Sequence, residues 1–370
     1  MVSGQDNSAV QDRIDSLDFL RGLTLLIWLF SASVVPALYQ LPRSPVAEVL
    51  AGQLSPSFWH GITVYDLLLP MFLFVSGASI VPAFKKRRAA AQTNCQLAER
   101  IVRRIVLLFV IGVVCEGGFW QHWPNLRFVG AYQRIAICYA VATCLEFTNG
   151  WRFQAGVVAF LLADYWASLA FGNSGEAGPY SLEGNAAAAV DQILLPGRKY
   201  FGTWDPQGLL TTIPAVAVTV AGVLAGKALT TDREGSIERS LWLLGVGIAA
   251  VNAGFLGDLL IPINPYLWTL TFCLVAIGAA SVLLGLFHAV LDVHRFKVWA
   301  APVFALGRNS LVVVVATATL TNSPEFIAKF AGPRIALLRY QHNPTWPLIV
   351  LLLIFTIVFA LNRCRIYVRV

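Results

Sequence analysis

Charge is what this chain has least of. Asp, Glu, Lys and Arg make up 13% of its 370 residues, while hydrophobic residues make up 57%. A soluble domain carries about 25% charged residues, because a wetted surface needs them. The deficit excludes a soluble globular class. Cysteine is sparse as well. The six cysteines show no CxxC spacing, and Cys115, Cys138, Cys144 and Cys273 fall inside apolar runs. Neither a disulfide framework nor a metal site is indicated. The chain also lacks a fixed-period repeat, and its net charge of +7 is scattered over short basic stretches. With no soluble domain to present a basic groove, that charge implies no nucleic-acid partner.

Long apolar runs are what the chain has instead. About ten stretches recur, near 19–38, 62–83, 102–120, 130–147, 153–171, 209–228, 240–260, 266–288, 303–321 and 346–362, each long enough for a hydrocarbon core of roughly 30 Å. Backbone groups facing lipid must be satisfied internally, so each run reads as a helix. The expected fold is an all-α polytopic membrane protein with about ten transmembrane helices. It forms one domain over 1–370, with 1–15 as a flexible tail. The first run follows Asp15, Asp18 and Arg21 and has no small-residue cleavage site, so it reads as a span rather than a cleavable leader. Lys and Arg concentrate in 85–104, 227–239, 294–297 and 363–369, which places those stretches and both termini in the cytoplasm. Some of these residues are suited to anionic lipid head groups. The location this implies is the cell (inner) membrane. Two outer loops, 172–208 and 322–345, are long, and PGRKYFGTWDPQG in the first reads as an ordered cap.

Polar groups inside or beside the spans sort into two depths. Toward the outer face lie His60, Asp66, Gln133, Arg134, Trp204, Asp205, Asn264 and Trp268, and toward the inner face Arg21, Arg308 and Asn309. Asp66 stands in an otherwise apolar run, where an ionised carboxylate is costly and marks a pairing or a function. Asp66 and Arg134 are candidates for a buried pair that fixes helix packing, or for groups on a substrate path. His60 reads either as an interfacial histidine or as a base. Trp59, Trp120, Trp123, Trp204, Trp268 and Trp346 read most simply as an aromatic belt at the head groups, with a sugar-stacking surface as the alternative. The small residues of LLGVGIAAVNAGFLG read as close helix packing.

The motifs RIDSLDFLRGLTLL (13–26), WHGITVYDLLLPMFLFVSG (59–77), AYQRIAICY (131–139), TWDPQGLLTTIPAVAVTVAGVLAGKAL (203–229), NPYLWTLTF (264–272) and GRNSLVV (307–313) occur in order. Together they resemble the membrane acyltransferase family typified by heparan-α-glucosaminide N-acetyltransferase, over roughly residues 13 to 360. The resemblance implies transfer of an acyl group, usually acetyl, from cytoplasmic acyl-coenzyme A to an amino sugar or glycan across the membrane. It implies that Arg21, Arg308 and Asn309 meet the anionic coenzyme, guanidinium being suited to phosphate. It also implies that Gln133, Arg134, Trp204, Asp205, Asn264 and Trp268 surround the acceptor. His60 and Asp66 become the catalytic candidates, an imidazole being the usual base near neutral pH. Acetyl-coenzyme A would be the donor substrate, no metal is expected, and a homodimer is compatible with such folds.

The chain departs from that pattern at two positions. Where the family carries a catalytic histidine, three residues before the Trp of W-x-G, this sequence has Pro56. A family Asn in the first span is replaced by Ala32. Three classes therefore stay open: an acyltransferase acting on an envelope glycan or glycolipid, a sugar or lipid-carrier transporter or flippase, and a catalytically silent relative.

Overall fold

The computed structural model describes residues 14–38, 44–90, 93–115, 126–148, 150–172, 177–231, 236–322, 345–364 and 366–367. The N-terminal residues 1–13, Trp120, Trp123 and most of the loop 322–345 lie outside the described residues. The apolar runs form helices: α1 (Asp15–Leu38), α2 (Pro45–Gln53), α3 (Leu68–Ala78), α4 (Ile80–Ala89), α5 (Asn94–Cys115), α6 (Ala131–Thr148) and α7 (Trp151–Phe171). After them come α8 (Ala186–Leu194), α9 (Leu209–Leu229), α10 (Ser236–Gly257), α11 (Leu270–Phe287), α12 (Ala301–Arg308), α13 (Ser310–Asn322) and α14 (Thr345–Arg363). No strand forms among the described residues. The only extended pairing there is a bridge between Arg127 and Gly197.

Among the described residues, six stretches are long and apolar enough to cross a membrane: Asp15–Val35, Leu68–Ala89, Trp151–Phe171, Leu209–Leu229, Ile237–Gly257 and Leu270–Val293. A seventh arises if α12 and α13, bent by 64° about Asn309, form one broken span. The chain is thus an integral membrane protein. Two boundaries differ from the sequence reading. The run 62–83 does not begin as helix, because Asp66 is held in a turn ahead of α3, and the run 303–321 breaks where Asn309 leaves helical geometry.

Helix pairs meet through small residues that let backbones touch. A Cβ on Gly222 would lie 2.0 Å from the Phe74 carbonyl oxygen, and one on Gly77 2.0 Å from that of Thr219. α3 and α9 therefore cross in direct backbone contact at the centre. α1 and α12 do the same at Gly22 and Gly307. Gly247 of the small-residue run seats α10 on Gly278 of α11, as its packing reading expects. The largest core joins α3, α6, α9 and α11 through residues such as Phe74, Cys138, Val218 and Phe272. The candidate site forms where loops 54–67, 200–208 and 262–269 converge over these helices.

Candidate functional site

Asp66 organises the approach to α3. Its carboxylate accepts from the Thr63 backbone N–H at 3.0 Å, the Thr63 hydroxyl at 3.0 Å and the Ser57 N–H at 3.2 Å. Burial raises the Asp66 pKa above the ordinary carboxylate range, and these hydrogen bonds only partly oppose the rise. The turn is pinned at two further points. Gly61 sits at φ +101°, a left-handed conformation that favours glycine, and donates to the Ile263 carbonyl at 2.9 Å. The Tyr266 hydroxyl donates to the Ser57 carbonyl at 2.7 Å.

A cavity of about 320 Å³ opens beside this turn. Asp66, Tyr65, Tyr266, Trp268, Gln207 and Pro56 border it near the loops, and Thr24, Trp28 and Val314 border it within the helices. Trp268 adopts φ +53°, a conformation that is strained for a bulky residue and typical of functional sites. Its ring is held against the Arg134 guanidinium, 5.0 Å from the ring centre. Arg134 is anchored in turn by donating to the Pro206 carbonyl at 2.8 Å and the Thr211 hydroxyl at 2.5 Å. Burial, with nearby Asp66, pushes the Tyr266 phenol up to about 12, and Tyr65 is raised as well. Both phenols stay protonated at neutral pH.

The fourteen-residue stretch around His60 and Asp66 does not bring the two into one site. His60 is exposed and borders a second cavity of about 780 Å³, formed with Trp59, Tyr180, Ser181 and Phe201. Between the cavities stands a stack of Trp59 on Tyr266, ring centres 5.6 Å apart and planes 12° apart. Nor do Asp66 and Arg134 pair. The carboxylate bonds its own turn, while the guanidinium reaches the loop after Asp205.

The remaining acceptor candidates hold loops in place. Trp204 is buried and donates from its indole to the Leu182 carbonyl at 2.7 Å. Together with buried Trp268, it sits inside the fold and not in a head-group belt. Asp205 takes a two-pronged ion pair from Arg127, both contacts 2.7 Å, and accepts from Gln207 N at 2.9 Å. Asn264 accepts from the Tyr266 and Leu267 backbones at 2.9 and 2.8 Å, making the turn that presents Tyr266 and Trp268. Gln133 buries its amide against Gly112 of α5 and borders neither cavity.

The inner candidates gather at the α1–α12 crossing. Arg21 donates to the Ser79 hydroxyl at 2.7 Å and lies 3.5 Å from Asp18. Arg308 lies over the Phe304 ring at 5.2 Å, and Asn309 ends α12. Arg21 adjoins Gly22 and Arg308 adjoins Gly307, the two residues in contact. Thr24 lies three residues beyond Arg21 and Val314 five beyond Asn309, so the first cavity ends roughly 5 Å and 8 Å along the two helices from this cluster.

Sequence reasoning missed Tyr65, Tyr266, Gln207, Arg127 and Asp191. The first three stand inside the same motifs as the candidates, Tyr65 next to Asp66, Gln207 two positions after Asp205 and Tyr266 midway between Asn264 and Trp268. Asp191 carried no local signal: it accepts from the Asp205 and Leu209 backbones, both at 3.1 Å, across a long loop.

Residues 13–120 match the model of a domain of unknown function, DUF5009. The chain is 28% identical over 345 residues to the heparan-alpha-glucosaminide N-acetyltransferase of Mus musculus, covering 74% of this chain and 50% of that protein. Against the protein of the same name from Homo sapiens it is 25% identical over 378 residues, covering 83% of this chain and 53% of the relative. The chain resembles these acetyltransferases over most of its length. It spans about half the length of the relatives it matches. Pro56, where the family pattern has its histidine, borders the same cavity as Asp66.

Proposed function

We propose that the protein is a transmembrane acetyltransferase, moving an acetyl group from cytoplasmic acetyl-coenzyme A to an amino sugar or glycan at the opposite face. The observation that carries this reading is one cavity with Asp66 at the loop end and the Arg21–Arg308–Asn309 cluster roughly 5 to 8 Å beyond the other. The coenzyme's phosphates suit Arg21 and Arg308, and its thioester would extend toward Thr24 and Trp28. The acceptor ring lies against Tyr266 and Trp268. Its amine or hydroxyl attacks the thioester carbon and passes its proton to Asp66. The C–S bond breaks, and the departing thiolate is protonated to free coenzyme A.

Asp66 acts as the base because the position of the family histidine is Pro56, which carries no proton. A carboxyl raised by burial is better matched to neutral pH than an exposed one. Tyr65 and Tyr266 supply hydrogen-bond donors, and His60 borders the acceptor's way in. In the membrane, we propose ten crossings: the six apolar stretches, the bent α12–α13 pair, and α5, α6 and α14. Both termini then lie in the cytoplasm and the membrane is the cell (inner) membrane, with a homodimer compatible with the arrangement.

The test is thiol release from acetyl-coenzyme A by purified protein, with and without amino sugars. Acceptor-dependent release is expected, falling about 10²-fold or more in Asp66→Asn. Sugar binding without thiol release or coenzyme binding would establish a carrier instead.

A further inference from the structure

Several basic side chains are already neutralised within the fold. Arg127 pairs with Asp205, Lys227 with Glu146 and Lys297 with Asp15. The first turns of α5 are different. Arg100 and Arg103 are exposed there, and among the described residues neither makes an ion pair or a hydrogen bond. Glu99 adjoins them in sequence, yet it pairs with neither. Arg104 lies over the Tyr139 ring of α6, 4.2 Å from its centre, and its Nε is buried without a hydrogen-bond partner. The ring holds that guanidinium in place and leaves its charge unanswered.

The same helix face turns from basic to apolar. With about 3.6 residues per turn, Arg100, Arg103, Leu107 and Val110 fall on one stripe, flanked by Arg104. Leu107 is 40% exposed and Val110 49%, and Val102, Val106 and Phe109 are exposed on the other sides of α5. A helix apolar on several faces and still uncovered has lipid as its solvent. The stripe thus carries charge over its first turns and hydrocarbon beyond. A phospholipid standing beside the helix has the same order, phosphate first and acyl chain after. Charge complementarity decides which lipid. Three guanidinium groups within about 6 Å of helix suit a phosphate, which a planar donor fork grips in two places. Lys86, Arg87 and Arg88 add positive charge at the end of α4, just before α5 begins, and among the described residues no ion pair reaches them. A zwitterionic head group would bring its own cation against all of these. A free phosphate would leave Leu107 and Val110 without a partner.

We propose that this stripe of α5 binds an anionic phospholipid, its phosphate on Arg100, Arg103 and Arg104 and an acyl chain along Leu107 and Val110. The site rests on α5 crossing the membrane, as proposed above, and not on acetyl transfer. In the experiment, the full chain in detergent is titrated with phosphatidylglycerol, with phosphatidylcholine or with inorganic phosphate. The readouts are the thermal midpoint and the lipid retained in native mass spectrometry. Phosphatidylglycerol should raise the midpoint and stay bound, and phosphatidylcholine should do neither. Arg100→Ala and Arg103→Ala should each weaken phosphatidylglycerol binding by about fivefold, the scale on which one basic residue contributes near a charged membrane surface. Both side chains are exposed and unpaired, so the lipid-free midpoint should stay where it is. Leu107→Ser should weaken phosphatidylglycerol binding with the arginines intact, and no change there would overturn the acyl-chain contact. An equal gain from phosphatidylcholine, or full binding in the Arg100→Ala, Arg103→Ala double variant, would overturn the site. An equal gain from inorganic phosphate would overturn the lipid in favour of a simple anion. Thiol release from acetyl-coenzyme A is measured separately, so each of these failures leaves the acetyltransferase reading standing.

Discussion

At the scale of single residues, Asp66 differs from the other polar candidates in where its charge is spent. Asp205 is neutralised by Arg127, and Arg134 is locked to the 206–211 segment and the Trp268 ring. Among the described residues, Asp66 is answered by hydrogen bonds from its own turn, so burial dominates and its pKa is raised. The folded state then binds that proton more tightly than the unfolded chain, whose value is about 3.9. Stability from this group accordingly falls as pH rises from that value through the raised one. Activity runs the opposite way, because a base must be deprotonated. The acidic limb of kcat/KM should therefore lie above the ordinary carboxylate range and disappear in Asp66→Asn, while a limb at the ordinary value would remove Asp66 as the base. Pro56 offers the converse experiment. An imidazole placed there would border the same cavity, so Pro56→His in an Asp66→Asn background should recover about tenfold or more of the lost rate. Unchanged thiol release in that double variant would count against the cavity as the transfer site.

At the scale of elements, the site depends on helices that touch through their backbones. α3 carries Asp66 at its head and lies against α9, whose own head is tied to the site loop by Asp191. Gly222→Val should push the two apart, since its Cβ begins 2.0 Å from the Phe74 carbonyl. Overpacking of this kind costs about 1–3 kcal/mol or more, read as a lower thermal midpoint in detergent together with reduced transfer. An unchanged midpoint would mean that α3 and α9 pack less closely than described. The same contacts show which elements were legible in the chain. Apolar length gave α1, α7, α9, α10 and α11 nearly to their ends. The start of α3 and the break at Asn309 were not legible, because both are set by hydrogen bonds and helix crossings, not by hydropathy.

At the scale of the whole molecule, the basic stretches at 85–104 and 363–369 make a statement about sidedness. Cys95 and Cys364 are exposed in those stretches. A membrane-impermeant thiol reagent should label them in inside-out vesicles and leave them untouched in intact cells. Labelling from the outside would invert the topology and with it the assignment of donor and acceptor faces. One cavity reaching from the loop end toward the α1–α12 crossing, and ending short of it, is a whole-molecule property as well. It draws Thr24 from the first helix, Asp66 from the turn before the third, Trp268 from the turn before α11 and Val314 from the thirteenth.

The amino-acid sequence by itself determined that this is a helical membrane protein with motifs resembling the glucosaminide acetyltransferases. Residues that must satisfy their own backbone in lipid have few alternatives, and six motifs in order constrain one another. Only the tertiary structure decided which polar residues share a site. His60 and Asp66 lie six positions apart, yet a turn through Gly61 and the Trp59–Tyr266 stack sends them into different cavities. Trp204, Asp205 and Asn264 stand in motifs beside the site, yet their side chains fasten loops. Direction, unlike composition, is fixed by distant partners such as Leu182, Arg127 and Ile263, which no local pattern reveals.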